Sequence, residues 1–474
     1  MLGFLILMEN RSDHIKKGIE RAPHRSLLKA TGLTDKELEK PLIAIANSWT
    51  EIVPGHIHLR DVANSVKEGI LTSGCVPFEF NTIAICDGIA MAHKGMCYSL
   101  PSREVIADSI ELEINAHNFD AMVCICSCDK IVPGMLMATC RLDIPTIFVT
   151  GGPMLPGWFE GKQIGFSNIY ESISQVKNRK MSLSKFKLME DTACPGAGSC
   201  AGMYTANTMQ CLTEALGLSL PYTATTPAVY SQKFKLAKES GEKIVELLKK
   251  DITPHKIVNK KTLENAIMVD MALGGSTNTV LHLIAIAKEF GITLPLEKFD
   301  EFSRNIPHLC DMNPAGPFFL KDLHEAGGMP VLMKELSKFL NLDCLTVTGK
   351  TVIANINKAK IKRREVIRSV TNPVHREGSI AILKGSLAPE GAVVKQSAVD
   401  PAMLRFKGKA VTFNSEEDAI NAILKRKVTN GNVVVIRYEG PKGGPGMREM
   451  LDATSAIKGL NLHKVALITD GRFS

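Results

Sequence analysis

Five short apolar runs, each ending in a polar or glycine-rich turn, constrain the fold of this chain more than any other feature. They are TIAICDG (82–88), MVCICSCDK (122–130), TIFVTGGP (146–153), VVVIRYEG (433–440) and VALITDG (465–471). Apolar runs without alternation suit strands covered on both faces, the environment of parallel sheets in α/β proteins. Between them lie amphipathic helical stretches, for instance 234–250 (FKLAKESGEKIVELLKK) and 263–290. Around 370–379 (VTNPVHREGS) the chain turns polar with Pro and Gly, and short β-rich segments follow, SIAILKG and AVVKQSAV. The expectation is an α/β unit with a parallel sheet over 11–370 and a smaller β-rich unit over 371–474. In open sheets of this kind, ligands gather beyond the carboxyl ends of the strands.

A length of 474 residues is too great for one simple core, and a make-up of 45% hydrophobic and 22% charged residues excludes disordered and fibrous classes. The formal charge of +8 is scattered in pieces such as KAKIKRR (358–364), the pattern of solvated faces. Two Trp and six Tyr provide no basic, aromatic stripe for stacking bases, so small anionic molecules are expected as partners and nucleic acid is not. The opening MLGFLILMENRSDH has no basic residue before its apolar run and no small-residue cleavage site after it. It also falls short of the ~20 apolar residues that span a bilayer. Residues 1–10 are read as a non-native or disordered extension, with Met8 a candidate start, and the protein as cytoplasmic without a membrane anchor.

Ten of the 12 cysteines fall between Cys75 and Cys211, unlike a secreted disulfide framework. Cys124, Cys140 and Cys211 lie in apolar patterns and are assigned to packing. Cys128-Asp129-Lys130 is different, because thiolates select iron–sulfur clusters or zinc while carboxylates select magnesium or manganese. One turn could feed two metals. Taken alone, the same tripeptide also reads as a strand-to-helix turn with Asp129 as a cap and Lys130 in solvent. Asp87 in CDGIAMAHKGMCYSLPSRE (86–104), Cys200 in CPGAGSCAGMYTANTM (194–209) and Glu449 in GPKGGPGMREM (440–450) favour the first reading, since glycine-rich loops allow close backbone approach to an inorganic group. A zinc-stabilised module lacks its paired C-x₂-C spacing here. An iron–sulfur electron carrier or sensor lacks the ferredoxin spacing and has no use for three carboxylates.

Five ordered motifs, CDGIAMAHKGMCYSLPSRE, CDKIVPGMLMA, GSCAGMYTANTM, GGPGMREM and the final TDGRFS, resemble the dihydroxy-acid/6-phosphogluconate dehydratase family from about Arg11 onward. NSWTEIVPGHIHL (47–59) is more similar to the members of branched-chain amino-acid synthesis than to the sugar-acid and 6-phosphogluconate ones. The resemblance implies a hydro-lyase that removes water from 2,3-dihydroxy-3-methyl acids, an iron–sulfur cluster at Cys128 and Cys200, and Mg²⁺ at Asp87, Asp129 and Glu449. It also implies that Lys130 is carbamylated and joins the magnesium set, that Ser474 is the base, and that the protein is a homodimer with its site between the domains. Sugar-acid or 6-phosphogluconate dehydration is the runner-up within the family.

One position departs from the family pattern. Members with a [2Fe–2S] cluster carry a further cysteine where this chain has Gly55, so a [4Fe–4S] cluster is favoured over [2Fe–2S]. Cys86, Cys97 and His56 remain alternatives for its third ligand, and His93, His117 and His282 are left as structural or substrate-side residues. Asn278, in GGSTNTVLHL, is expected to help start a helix. Family members continue beyond GRFS, so a chain stopping at Ser474 is expected to be poorly stable or inactive.

Overall fold

A computed structural model describes residues 10–474, so the expectation for the first ten residues lies outside the described residues except at Asn10. Its main sheet is parallel throughout. Strands β1 (Leu42–Asn47), β2 (Val76–Asn81), β3 (Ala121–Cys126) and β4 (Thr146–Thr150) lie in the order β2-β1-β3-β4. Ala44 of β1 pairs with Phe78 on one side and Met122 on the other, and Cys126 pairs with Thr150. Every residue of β1, β3 and β4 is buried, which is why these runs carry no polar alternation.

Helices Leu59–Thr72, Ser99–His117 and Ile131–Leu142 make the three crossovers. The first moves the chain to one side of β1 and the second carries it back to the other. The tips of β1 and β3 therefore flank the point where the winding reverses, the ordinary ligand crevice of such sheets. Helix Leu59–Thr72 also packs on helix Ser231–Lys249 through two glycines. A Cβ on Gly69 would lie 2.1 Å from the Lys238 carbonyl oxygen, and one on Gly241 would lie 2.2 Å from that of Val66, so only glycine lets these backbones touch.

Small antiparallel pairs form between β5 (Gly157–Phe159) and β6 (Lys162–Ile164), and between β7 (Ala381–Leu383) and β8 (Ala392–Val394). Ile380, Ile382 and Val393 still pack on the first core. The strand-rich remainder is a second parallel sheet, with β9 (Lys409–Phe413), β10 (Asn432–Ile436) and β11 (Ala466–Thr469) in the order β11-β10-β9. Helices Glu416–Leu424 and Leu451–Gly459 cover it, and Ala419, Ile423, Val434, Ile436, Met450 and Ala453 form a separate core.

Two expectations need correcting. Residues 82–86 are not a strand and Asp87 does not close one: the strand is Val76–Asn81, and Asp87 opens the short helix Asp87–Ala90. β2 is an edge strand, so Pro77 and Glu79 are tolerated there, and its sequence VPFEFN hides a strand that an apolar pattern misses. The helical stretch 263–290 is two helices, Lys260–Leu273 and Asn278–Glu289, broken where Gly274 takes φ +76°.

Candidate active site

The tip of β3 is buried completely, with Lys130 0% exposed, which rules out the solvent-facing turn. Lys130 Nζ lies 2.7 Å from Asp87 Oδ2, and Ser99 Oγ donates to Asp87 Oδ1 at 2.6 Å. From the second sheet, Arg472 Nη1 donates to Glu449 Oε2 at 2.6 Å and stands 3.8 Å from Asp87 Oδ2. Asn278 Nδ2 donates to the same Glu449 oxygen at 3.1 Å, and Ser474 Oγ donates to Glu449 Oε1. Asp87, Asp129, Lys130, Glu449 and Ser474 therefore converge: Asp129 and Lys130 from the tip of β3, Asp87 from the short helix that follows β2, Glu449 from the loop before helix Leu451–Gly459, and Ser474 from the segment after β11.

The charge balance of this pocket is uneven. Burial pushes the Asp129 carboxyl up to about 7, with the charges of Asp87 and Glu449 adding to it against Lys130 and Arg472. Asp129 has no hydrogen-bond partner among the described residues. Burial also raises Glu449, outweighing Arg472 and Lys130. At Asp87 burial is outweighed by Lys130 and Arg472, and its carboxyl is held below the usual range. Three buried carboxylates thus face two cations.

The sulfur side adjoins it. Burial raises both Cys128 and Cys200 well above an ordinary thiol, Cys86 and Asp129 adding to the effect at each. The charge of Cys200 acts on Cys128, and that of Cys86 acts on both. A Cβ on Gly55 would lie 2.6 Å from Cys128 Sγ, so residue 55 stands directly against that sulfur and the glycine leaves the space open. His56 is withdrawn from the ligand candidates. Its Nε2 accepts from the Cys128 N–H at 3.1 Å while its Nδ1 donates to the Ser48 carbonyl at 2.7 Å, leaving no lone pair for a metal. His93 and His117 bond local carbonyls at the surface. Cys124, Cys140 and Cys211 are buried packing residues.

Among the described residues no three His, Cys, Asp or Glu donors already close on one metal point. The carboxylates instead hold Lys130, Arg472 and Ser474. The donor set nonetheless fits two groups of opposite hardness: the buried Cys128 and half-buried Cys200 and Cys86 beside an open glycine on one side, and an uncompensated carboxylate cluster on the other. Arg472 and Ser99 carried no predicted role, and Asn278 only that of starting a helix, which it does as the first residue of Asn278–Glu289. Arg472 lies in the same GRFS motif as Ser474, which is the signal that could have found it. The reach of Asn278 to Glu449 had none.

Comparison with known proteins completes the reading. The family model "Dihydroxy-acid/6-phosphogluconate dehydratase N-terminal" matches residues 40–355, and its C-terminal counterpart matches 365–474. A dihydroxy-acid dehydratase of Methanosarcina barkeri is 59% identical over 469 residues, covering 98% of this chain and 85% of the relative. Those of Caldanaerobacter subterraneus and Pyrococcus furiosus are each 59% identical over 467 residues, 98% of this chain. An α/β enzyme of the hydro-lyase class is thereby defined. The chain belongs to the dihydroxy-acid/6-phosphogluconate dehydratase family. Among the described residues, no helix is long and apolar enough to cross a membrane.

Proposed function

We propose that this chain dehydrates 2,3-dihydroxy-3-methyl carboxylic acids to 2-oxo acids, as in branched-chain amino-acid synthesis. The observation that carries the proposal is the convergence of buried Asp87, Asp129 and Glu449 with the thiols of Cys128 and Cys200 around Lys130. Asp87, Asp129, Glu449 and a carbamate on Lys130 would hold Mg²⁺, and Cys128, Cys200 and the neighbouring Cys86 an iron–sulfur cluster of [4Fe–4S] type. When bound, the two groups supply Lewis acidity toward the C3 hydroxyl and the charge developing at the carboxylate end.

The chain's own residues supply the rest. Ser474 Oγ removes the C2 proton, the C3 hydroxyl leaves as water, and the enol tautomerises to the ketone. An isolated serine is a weak base, and the cations gathered at Glu449 favour its alkoxide. Arg472 and Asn278 fix the Glu449 carboxylate from one side, and Ser99 fixes Asp87 from the other. Burial excludes water from the acid while the proton moves. A homodimer in the cytoplasm belongs to the same proposal, which rests there on the family resemblance.

Anaerobically reconstituted protein, given 2,3-dihydroxy-3-methylbutanoate, gluconate or 6-phosphogluconate, is expected to release 2-oxo acid from the first. Preference for a sugar acid would replace the substrate while keeping the family, and a coloured protein inert on all three would point to a redox or sensor role. Ser474→Ala should abolish turnover with the cluster absorbance intact. Cys86→Ser should lower the iron bound per chain, whereas Cys97→Ser should not; equal iron in both removes Cys86 from the ligand set.

A further inference from the structure

His282 lies on helix Asn278–Glu289 one turn beyond Asn278, so the two share a face. That face looks into the pocket, because Asn278 Nδ2 bonds Glu449 Oε2. The same helix packs on helix Ile131–Leu142, whose first turn begins at Lys130. His282 is 0% exposed. Its Nδ1 lies 3.2 Å from Arg103 Nη1. A guanidinium only donates, so Nδ1 must be the bare, accepting nitrogen and the ring proton must sit on Nε2. The second proton of an imidazolium is opposed by burial and by the charges of Lys130, Arg103 and Arg472. The result is a neutral ring with its one N–H turned away from Arg103.

That N–H has no acceptor among the described residues, and neither does Nη2 of Arg472. Buried side-chain donors are seldom left without an acceptor, and each such case asks for a reason. Two of them, on elements that meet at Glu449 and Lys130, ask for the same one.

We infer that His282 Nε2 and Arg472 Nη2 are the receiving donors for an oxygen of a carboxylate-class anion that lies beside Lys130. The inference rests on the reading of this pocket as the substrate site. The anion has two chemical sources. Once the Lys130 ammonium has passed one proton to water, its Nζ can attack CO₂, forming the N–C bond while one C=O pair moves onto oxygen and a second N–H proton passes to water, which leaves a carbamate. Alternatively the acid substrate brings its own carboxylate. His282 is a positioning residue in the first case and a binding residue in the second.

The test uses the protein as its native host makes it, reconstituted anaerobically, as wild type, His282→Phe and His282→Gln. Carbamate is followed by ¹³C NMR with labelled bicarbonate, KM and kcat are measured for the dihydroxy acid, and folding is followed by thermal melting. Loss of a hydrogen bond to a charged partner corresponds to about a tenfold effect. If the anion is the carbamate, His282→Phe weakens the labelled signal about tenfold and excess bicarbonate restores turnover. If it is the substrate, the signal stays and KM rises about tenfold. In both cases His282→Gln, which keeps an N–H donor, recovers part of the loss. A His282→Phe protein with wild-type signal, KM and melting overturns the inference and leaves the proposed function standing. Should His282→Phe not fold, His282→Gln is compared with His282→Met, and equal behaviour of those two overturns it. A wild type that forms no carbamate and turns over no dihydroxy acid removes the proposed function and this inference together.

Discussion

Both parallel sheets send functional side chains beyond their carboxyl ends, but they hold those ends by different means. β1, β3 and β4 are buried at every position, whereas Lys409, Ala410 and Thr412 of the five-residue β9 are exposed and no residue of β11 is fully buried. At the first sheet, packing on both faces fixes Cys128, Asp129 and Lys130. At the second, arginine contacts do that work: Arg448 pairs with Glu417 and Glu439 and donates to the Glu416 carboxyl, and Arg472 grips Glu449. The site joins a tightly packed half, which supplies the thiols, to a charge-tied half, which brings Ser474.

If this division is right, the largest effect comes from the tightly packed half. Asp129→Asn should cost about a thousandfold in kcat/KM, because the carboxylate with no other partner is the one a cation must use. A loss smaller than tenfold would deny it that role.

Stability separates the sheets next. Ile125 on β3 is 0% exposed and Ile468 on β11 is 39% exposed. Ile125→Ala should lower the unfolding free energy by about 2–5 kcal/mol. Ile468→Ala should lower it by less than about 1 kcal/mol. Similar losses in denaturant titrations would contradict the contrast.

Per pH unit the change is modest, and its sign differs between the halves. Burial lowers His58, near the first sheet, from 6.5 to about 4. The unfolded chain therefore takes up the proton first, and this contribution to stability, full above pH 6.5, is lost as pH falls toward 4. Burial raises Glu416, in the second half, from 4.5 to about 8 despite Arg448. The folded chain keeps that proton longer, and the contribution present below pH 4.5 is lost as pH rises toward 8. His58→Asn and Glu416→Gln should each change the slope of stability against pH by about 1.4 kcal/mol per unit, in opposite directions and within those windows. Slopes of the same sign would refute the assignment.

The same contrast explains what could be read from the chain alone. Uninterrupted apolar runs made β3 and β4 legible, and with β3 the Cys128 and Asp129 at its tip, whereas the apolar run of β11 formed a strand that is covered only in part. β2 was not, since an edge strand accepts Pro77 and Glu79 and so loses the apolar signature. The break at Gly274 was hidden because a left-handed cap needs only one residue in an otherwise helical pattern. Ser474 and Glu449 stood out through their motifs. Asn278 and His282 did not, because their roles depend on which helix face meets a sheet far away in sequence, and Arg103 fixes the His282 tautomer from 179 positions away.

The imidazole of His56, wedged between the Ser48 carbonyl and the Cys128 amide, has a bearing on how the protein should fail in acid. Its proton affinity is so low, at about 3, that mild acidification leaves this strut uncharged and the sulfur loop undisturbed. Asp129 takes up its proton near neutrality. Acid therefore reaches the carboxylate side of the pocket well before it reaches the support beneath the Cys128 amide, so the two sides of one strand tip answer to different ranges of pH.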